Sequence, residues 1–179
     1  FATQLLRQSG AVILGKVVTT EIAMMTPGKT RNPHDLERTP GGSSSGSCAA
    51  VGDNMAPLAL GSQTAGSTLR PASFCGIYGY KPTFGSISCT GVSPISRKLD
   101  HVGPLARSLE DLAILGDTLM VYDPRDEEMR ASPFMDLETS LSRPLSGAPR
   151  IGFARTHAWS EGDPGAFLNF ENFVASLGD

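Results

Sequence analysis

The sequence predicts an α/β fold, a mixed β-sheet flanked by helices, and three observations predict it. A helix ending at Gly10 leads straight into the wholly apolar run Ala11-Val12-Ile13-Leu14. A second short apolar run, Leu58-Ala59-Leu60-Gly61, has the length of a buried strand. Farther on, Leu109, Leu112, Ala113, Leu115, Gly116 and Leu119 fall mainly on one helical face. Helices that feed directly into buried strands pack as layers.

The elements follow in order. Residues 2–9 read as the end of a helix, with Gly10 where a left-handed cap is wanted. Ala11–Leu14 reads as a buried strand. Residues 26–47, rich in Pro, Gly, Asn, Ser and Thr, read as a long surface loop, a length that usually signals function or disorder. A short helix starts near Ser47 and reaches Val51. Leu58–Gly61 is a strand, residues 68–76 turn back, and Ile77–Tyr80 is a further strand that Lys81-Pro82 ends, because proline cannot donate to the ladder. Ser108-Leu109-Glu110-Asp111 resembles a capping box opening a helix that runs to about Tyr122. Residues 123–149, with four prolines, form a connection. Ile151–Ala154 reads as a strand, and Asp163-Pro164 opens a helix over 164–177.

Composition narrows the function. The chain has 179 residues, 40% apolar and 18% charged, which supports one packed domain or part of a larger one. A net charge of −3 without a basic run gives nucleic-acid binding no electrostatic footing. Cys48, Cys75 and Cys89 have no CxxC spacing and are odd in number, which fits a reduced, cytoplasmic compartment. His34, His101 and His157 pair with no cysteine at metal-ligand spacing, so no metal is expected. No apolar stretch is long enough for a membrane span, and no signal peptide is visible. The chain begins with Phe1 and is expected to be a fragment of a longer protein.

Two glycine-serine clusters carry the chemistry: Gly41-Gly42-Ser43-Ser44-Ser45-Gly46-Ser47 and Thr64-Ala65-Gly66-Ser67. Alone, the first reads equally well as a flexible linker. A nearby apolar strand feeding a second such turn argues against a linker. Two loops of this kind that meet in space would set a pair of hydroxyls beside free backbone N–H groups, which is what acyl transfer needs. Two other patterns fail on context. Gly42–Gly46 satisfies G-x-S-x-G, but the polar, proline-ended run before it is not the strand a nucleophile elbow requires. Gly10–Lys16 spells G-x-x-x-x-G-K, but Val17 stands where a phosphate loop needs a hydroxyl. Lys16 reads as a lysine at a strand end, Cys75 as a small buried hydrophobe, and His101 as structural.

With Gly61-Ser62-Gln63 before the second cluster and Pro71-Ala72-Ser73-Phe74-Cys75-Gly76-Ile77-Tyr78-Gly79-Tyr80-Lys81-Pro82-Thr83 after it, the chain resembles the amidase signature family, serine hydrolases that use a Ser-cisSer-Lys triad. Residues 10–16, 99–108 and Asp111 extend the likeness, which is close over about 1–122 and looser beyond. The resemblance implies Ser67 as nucleophile and Ser43, held by a cis peptide after Gly42, as the bridging serine. It implies an oxyanion hole from the N–H groups around Thr64, Ala65, Gly66 and Ser67. It implies no metal or organic cofactor, a small-molecule amide as substrate, no nucleic acid or membrane partner, and leaves a homodimer open.

The third member of the triad has no counterpart here. The family's lysine lies farther before the first serine loop than the 42 positions available, and Lys16, Lys29, Lys81 and Lys98 do not match it. The expectation is therefore that this segment alone is inactive. There are smaller departures too. Gln63 stands where many members have Asp, Ala65 where many have Gly, and Leu69 where many have Arg, with Arg70 one place later. A supporting pair of Gln63 with Arg70 in place of Asp with Arg is one expectation, its absence the other. The implied organisation is 1–122 as the central part of an amidase domain, 123–149 as a connecting segment, and 150–179 as the start of the domain's C-terminal part. The implied function is hydrolysis of a carboxylic amide through an acyl-enzyme. The alternatives are the glutaminase subunit of an amidotransferase that serves glutaminyl-tRNA synthesis, and a non-catalytic remnant of the fold.

Overall fold

Helix α1, Ala2–Gln8, ends as its sequence demands: Gly10 takes φ +87°, its N–H reaches the Arg7 carbonyl, and the Ala11 N–H reaches that of Leu6. The computed structural model describes residues 1–131, 136–157 and 159–178. The chain divides into two units, Phe1–Arg143 and Pro144–Asp179.

The first unit is built on a small sheet with helices around it. Strands β1 (Leu58–Gln63), β2 (Tyr78–Gly79) and β3 (His101–Ala106) lie in the order β1-β3-β2, both pairings antiparallel. Side chains alternate along β3 as a strand requires. Leu105 packs on one side with Cys48, Val51, Ala72, Cys75 and Ile77, which come from helices α2 (Ser45–Gly52) and α3 (Leu69–Phe74) and the turn after α3. Val102 packs on the other with Ile87, Leu115 and Leu119, against helix α4 (Leu109–Leu119) and Leu6 of α1. Ser108 caps α4 by accepting the Asp111 N–H at 3.1 Å. Helix α5 (Leu137–Ser142) is capped in turn by Asp117 of α4, which accepts the N–H groups of Leu137 and Glu138.

Several expectations change. Ala11–Leu14 is not a strand: no strand runs alongside it among the described residues, and Val12 and Leu14 stay 83% and 71% exposed. A strand needs a ladder partner, and an apolar run alone does not supply one. Ile151–Ala154 fails as a strand for the same reason. The 26–47 segment is irregular until Ser45, but its end is not on the surface. Pro40, Gly41 and Ser43 through Ala49 are buried, and Asn32 and His34 tie the loop to the Phe74 and Cys75 carbonyls. The turn over 68–76 contains α3, the 77–80 strand shortens to Tyr78–Gly79, and α4 stops at Leu119. β3 had no reading as a strand from sequence, because Pro104 and Gly103 mask its pattern. Within 123–149 the chain is partly folded, with Asp123 buried and α5 formed, and residues 132–135 lie outside the described residues.

The second unit holds helix α6 (Pro164–Ser176), whose first turn is capped by Asp163 with proline at its start, as its sequence predicts. Trp159 stacks on Phe167 with ring centroids 4.5 Å apart, and Phe153 and Phe170 meet the same cluster edge-on or tilted.

Candidate active site

β1 is an edge strand, and an edge exposes unpaired N–H and C=O groups. The first glycine-serine cluster covers that edge. Ser44 Oγ donates to the Ser62 carbonyl at 3.3 Å and accepts the Ser62 N–H at 3.1 Å, while Ser47 Oγ donates to the Leu60 carbonyl at 2.7 Å. Gly61 makes the approach feasible, since a Cβ there would stand 2.6 Å from Ser44 Oγ. Gly46 has a similar role on the other side, where a Cβ would fall 2.5 Å from the Val18 nitrogen.

The two clusters meet. The Ser44 N–H donates to the Ser67 carbonyl at 3.1 Å, so the residue after Ser43 is bonded directly to Ser67. The Gly42–Ser43 peptide is cis. Ser43 is buried, and its carbonyl accepts the Thr20 N–H at 3.0 Å and the Thr19 hydroxyl at 2.9 Å. Ser67 is half-buried, at the head of α3.

The turn that carries Ser67 is braced from within. Gln63, almost fully buried, donates from Nε2 to the Ala65 carbonyl at 2.9 Å. Its Oε1 accepts the N–H groups of Thr68 and Leu69 at 2.9 and 3.0 Å. The Thr64 hydroxyl donates to Asp100, whose other oxygen accepts the N–H groups of Ile95 and Ser96. Thr68 is fully buried in a notch between Gly61 and Gly103, which face each other across β1 and β3. Among the described residues, nothing accepts the N–H groups of Thr64, Ala65, Gly66 and Ser67. Four backbone donors on one turn are thus left without a protein acceptor among the described residues.

Gln63 and Arg70 are not bonded to each other, the second of the two expectations for this pair. Gln63 uses both ends of its amide on its own turn, and Arg70 reaches instead to the Gly42 carbonyl, from Nη2 at 2.8 Å and Nε at 3.3 Å. An amide carries a donor as well as an acceptor, so Gln63 closes its turn without a guanidinium beside it.

Other residues weighed from the sequence lie outside the two loops, and Lys16 does not end a strand, because residues 11–14 form none. Cys48 and Cys75 sit fully buried in the core. Burial pushes the Cys75 thiol up to about 11 and Cys48 higher still, which disfavours the reactive thiolate at both. His101 packs edge-on against Phe84, with Nδ1 at 2.6 Å from the Leu99 carbonyl. Lys16 is exposed. Among the described residues, no group of His, Cys, Asp and Glu could hold a metal, and no helix is long and apolar enough to cross a membrane. A polar pocket of about 240 Å³ opens between Cys89, Arg97, Asp100, Arg125, Asp126 and Glu128, and neither glycine-serine loop lines it.

Sequence reasoning missed Thr19, Thr20, Thr68 and Asp100 as supports of the two loops. A Thr-Thr pair more than twenty residues from Ser43 carries no motif. The glycine at 103, in a segment that also holds proline, was the one signal that something packs closely there.

Comparison with known proteins finds similar chains among amidotransferase subunits and amidases. The A subunit of the glutamyl-tRNA(Gln) amidotransferase of Methanosarcina mazei is 52% identical over 146 residues, covering 78% of this chain and 30% of its own length. That of Symbiobacterium thermophilum is 43% identical over 178 residues, covering 96% of this chain and 36% of its own length. Among solved structures, the inhibitor-bound form of a vestigial protein complex connected with the origins of an s-triazine catabolic enzyme superposes with a TM-score of 0.89. It is 38% identical and covers 99% of this chain and 40% of that one. The peptide amidase of Stenotrophomonas maltophilia superposes with a TM-score of 0.73 at 34% identity, over 78% of this chain and 32% of that one. The chain spans 29% to 38% of the length of the curated relatives it matches. The family model described as Amidase matches residues 1–179 throughout, and this chain belongs to that family, the amidase signature enzymes.

Proposed function

We propose that these residues are the serine-bearing part of an enzyme that hydrolyses a carboxylic amide through an acyl-enzyme. The observation that carries the reading is the 3.1 Å bond from the Ser44 N–H to the Ser67 carbonyl, which joins the two loops beside four unaccepted backbone donors. In this reading Ser67 Oγ attacks the amide carbonyl carbon as its proton passes to Ser43, and the Ser43 proton passes to a neutral lysine. No lysine in this chain matches the family's, so in this reading these 179 residues alone do not turn over substrate. The developing oxyanion is held by the N–H groups of Thr64, Ala65, Gly66 and Ser67. Each such donor is worth about 2.7–4 kcal/mol of transition-state stabilisation. Collapse of the tetrahedral intermediate breaks the C–N bond, and the leaving amine takes the proton back from the lysine through Ser43. Water then attacks the ester by the same proton route and releases the acid. No metal or organic cofactor enters these steps.

A second reading rests on the names of the relatives. Relatives 39% to 52% identical to this chain carry the name of the A subunit of glutamyl-tRNA(Gln) amidotransferase. In that role the acyl-enzyme chemistry is the same, the amide is glutamine, and the ammonia passes to a partner protein. Purified complete protein that hydrolyses simple amides without a partner supports the first reading. Turnover restricted to glutamine and dependent on a partner supports the second.

The nucleophile is tested by treating the complete protein with a fluorophosphonate and mapping the adduct by mass spectrometry. An adduct on Ser67 is expected. An adduct on another serine moves the nucleophile there and defeats the assignment, and no adduct favours a non-catalytic remnant.

A further inference from the structure

We propose that Arg70 is a positioning residue that fixes the bridging-serine loop against the nucleophile turn, and the proposal rests on the acyl-enzyme reading above. Arg70 is bonded to both loops at once. Its backbone N–H donates to the Gly66 carbonyl at 2.9 Å, inside the turn that carries Ser67. Its guanidinium donates to the Gly42 carbonyl, immediately before Ser43, at 2.8 Å from Nη2 and 3.3 Å from Nε. Between these ends the side chain lies over Gly66, where a Cβ would stand 3.8 to 3.9 Å from Cβ, Cζ and Nη1 of Arg70.

The other ties on Ser43 come from different directions. Its carbonyl is held by Thr19 and Thr20, and the following N–H by the Ser67 carbonyl. The Arg70 bond to Gly42 fixes the remaining side, and it is the only one of the set made by a charged group, so it is stronger than its neutral neighbours. Gln63 braces the turn internally and does not reach the first loop. Arg70 is exposed, so its removal leaves the packed core intact. A planar guanidinium that donates twice to one carbonyl also defines an orientation that a lysine, as a single point charge, does not.

The test uses Arg70→Ala and Arg70→Lys in the complete protein, with Ser67→Ala alongside. Loss of a charge-assisted tie is expected to lower kcat about 10- to 100-fold with KM within about threefold of the parent. Arg70→Lys recovers part of the loss, and added guanidinium ion restores part of the Arg70→Ala rate. Amide hydrogen exchange at Ser44 speeds up in Arg70→Ala while the melting temperature holds. Unchanged exchange at Ser44 overturns the proposal. So does unchanged kcat, or a rise in KM confined to anionic substrates, which would make Arg70 a substrate-binding residue. The exchange measurement stands apart from the chemistry: if Ser67→Ala keeps normal turnover, the acyl-enzyme reading falls, while Ser44 exchange still decides whether Arg70 ties the loops.

Discussion

Gly103 lies directly under the side chain of Thr68: a Cβ at 103 would stand 2.5 Å from Thr68 Oγ1 and 2.6 Å from its methyl carbon. The residue after Ser67 is thus seated on the central strand of the sheet, and Gly61 opposite Gly103 widens the notch. Gly103→Ala is expected to destabilise the protein by about 1–3 kcal/mol, as overpacking does. Turnover should fall with it, because Ser67 must move. Thr68→Ala in the same chain should recover part of both losses. Urea unfolding and turnover of the two single variants and the double variant check this; simple additivity would show that the two residues do not share the notch.

Ser44 and Ser47 complete the open edge of β1. Ser44→Ala leaves the Ser62 N–H without its partner, and Ser47→Ala does the same to the Leu60 carbonyl. Each is expected to cost about 1–3 kcal/mol, the usual penalty for orphaning a buried polar group. Denaturant midpoints measure the cost. Ser45→Ala is the comparison, since its hydroxyl makes only a 3.3 Å contact with the Val18 carbonyl, and it should cost less.

Ser67→Ala in the complete protein is expected to abolish acylation, and Ser43→Ala to reduce it by several orders of magnitude with substrate binding retained. Stopped-flow detection of the first released amine separates these effects. A Ser67→Ala variant with near-normal release would show that the nucleophile lies elsewhere.

Asp123 is 1% exposed, ion-paired to Arg125 at 2.8 Å and bonded by the Ser88 hydroxyl at 2.8 Å. The Arg125 guanidinium holds its carboxyl well below the usual carboxylate range, against the opposing effect of burial. A depressed carboxylate stabilises the folded state fully above the unfolded value of about 4, and the contribution fades as pH falls below that value. Asp123→Asn should therefore lose stability relative to the parent at pH 7, and the gap should narrow toward pH 3. Urea midpoints of both proteins across that range give the answer; a gap that widens at low pH contradicts it.

Cys48 and Cys75 should resist iodoacetamide at pH 8 in the native protein. With the Cys75 thiol pushed up to about 11, roughly one molecule in a thousand carries the reactive thiolate at that pH. Cys89, half-buried, is raised by burial as well. Rapid modification of Cys75 without denaturant, read by mass spectrometry, would show that the core around α2 and α3 opens easily.

The parts of the fold legible from sequence were those set by local rules. The Gly10 cap, the Ser108 cap of α4, the Asp163-Pro164 start of α6 and the apolar run of β1 each depend on residues within a few positions of one another. The family likeness of the two serine clusters was legible for the same reason. Ala11–Leu14 and Ile151–Ala154 have the composition of strands and are not strands, since pairing is a property of two segments and a composition describes only one.

By itself, then, the sequence determined helices α1, α2, α4 and α6, the caps of α1, α4 and α6, the strand that begins at Leu58 and the residues that make up the two serine loops. Tertiary structure decided that β3 runs between β1 and β2, that Ser44 and Ser47 serve as edge partners of a strand, and that Arg70 turns to Gly42 and not to Gln63. The physical reason is range. A cap or an amphipathic face is settled by neighbours in the chain, whereas a hydrogen bond between residues 28 positions apart exists only once the intervening backbone has packed into place.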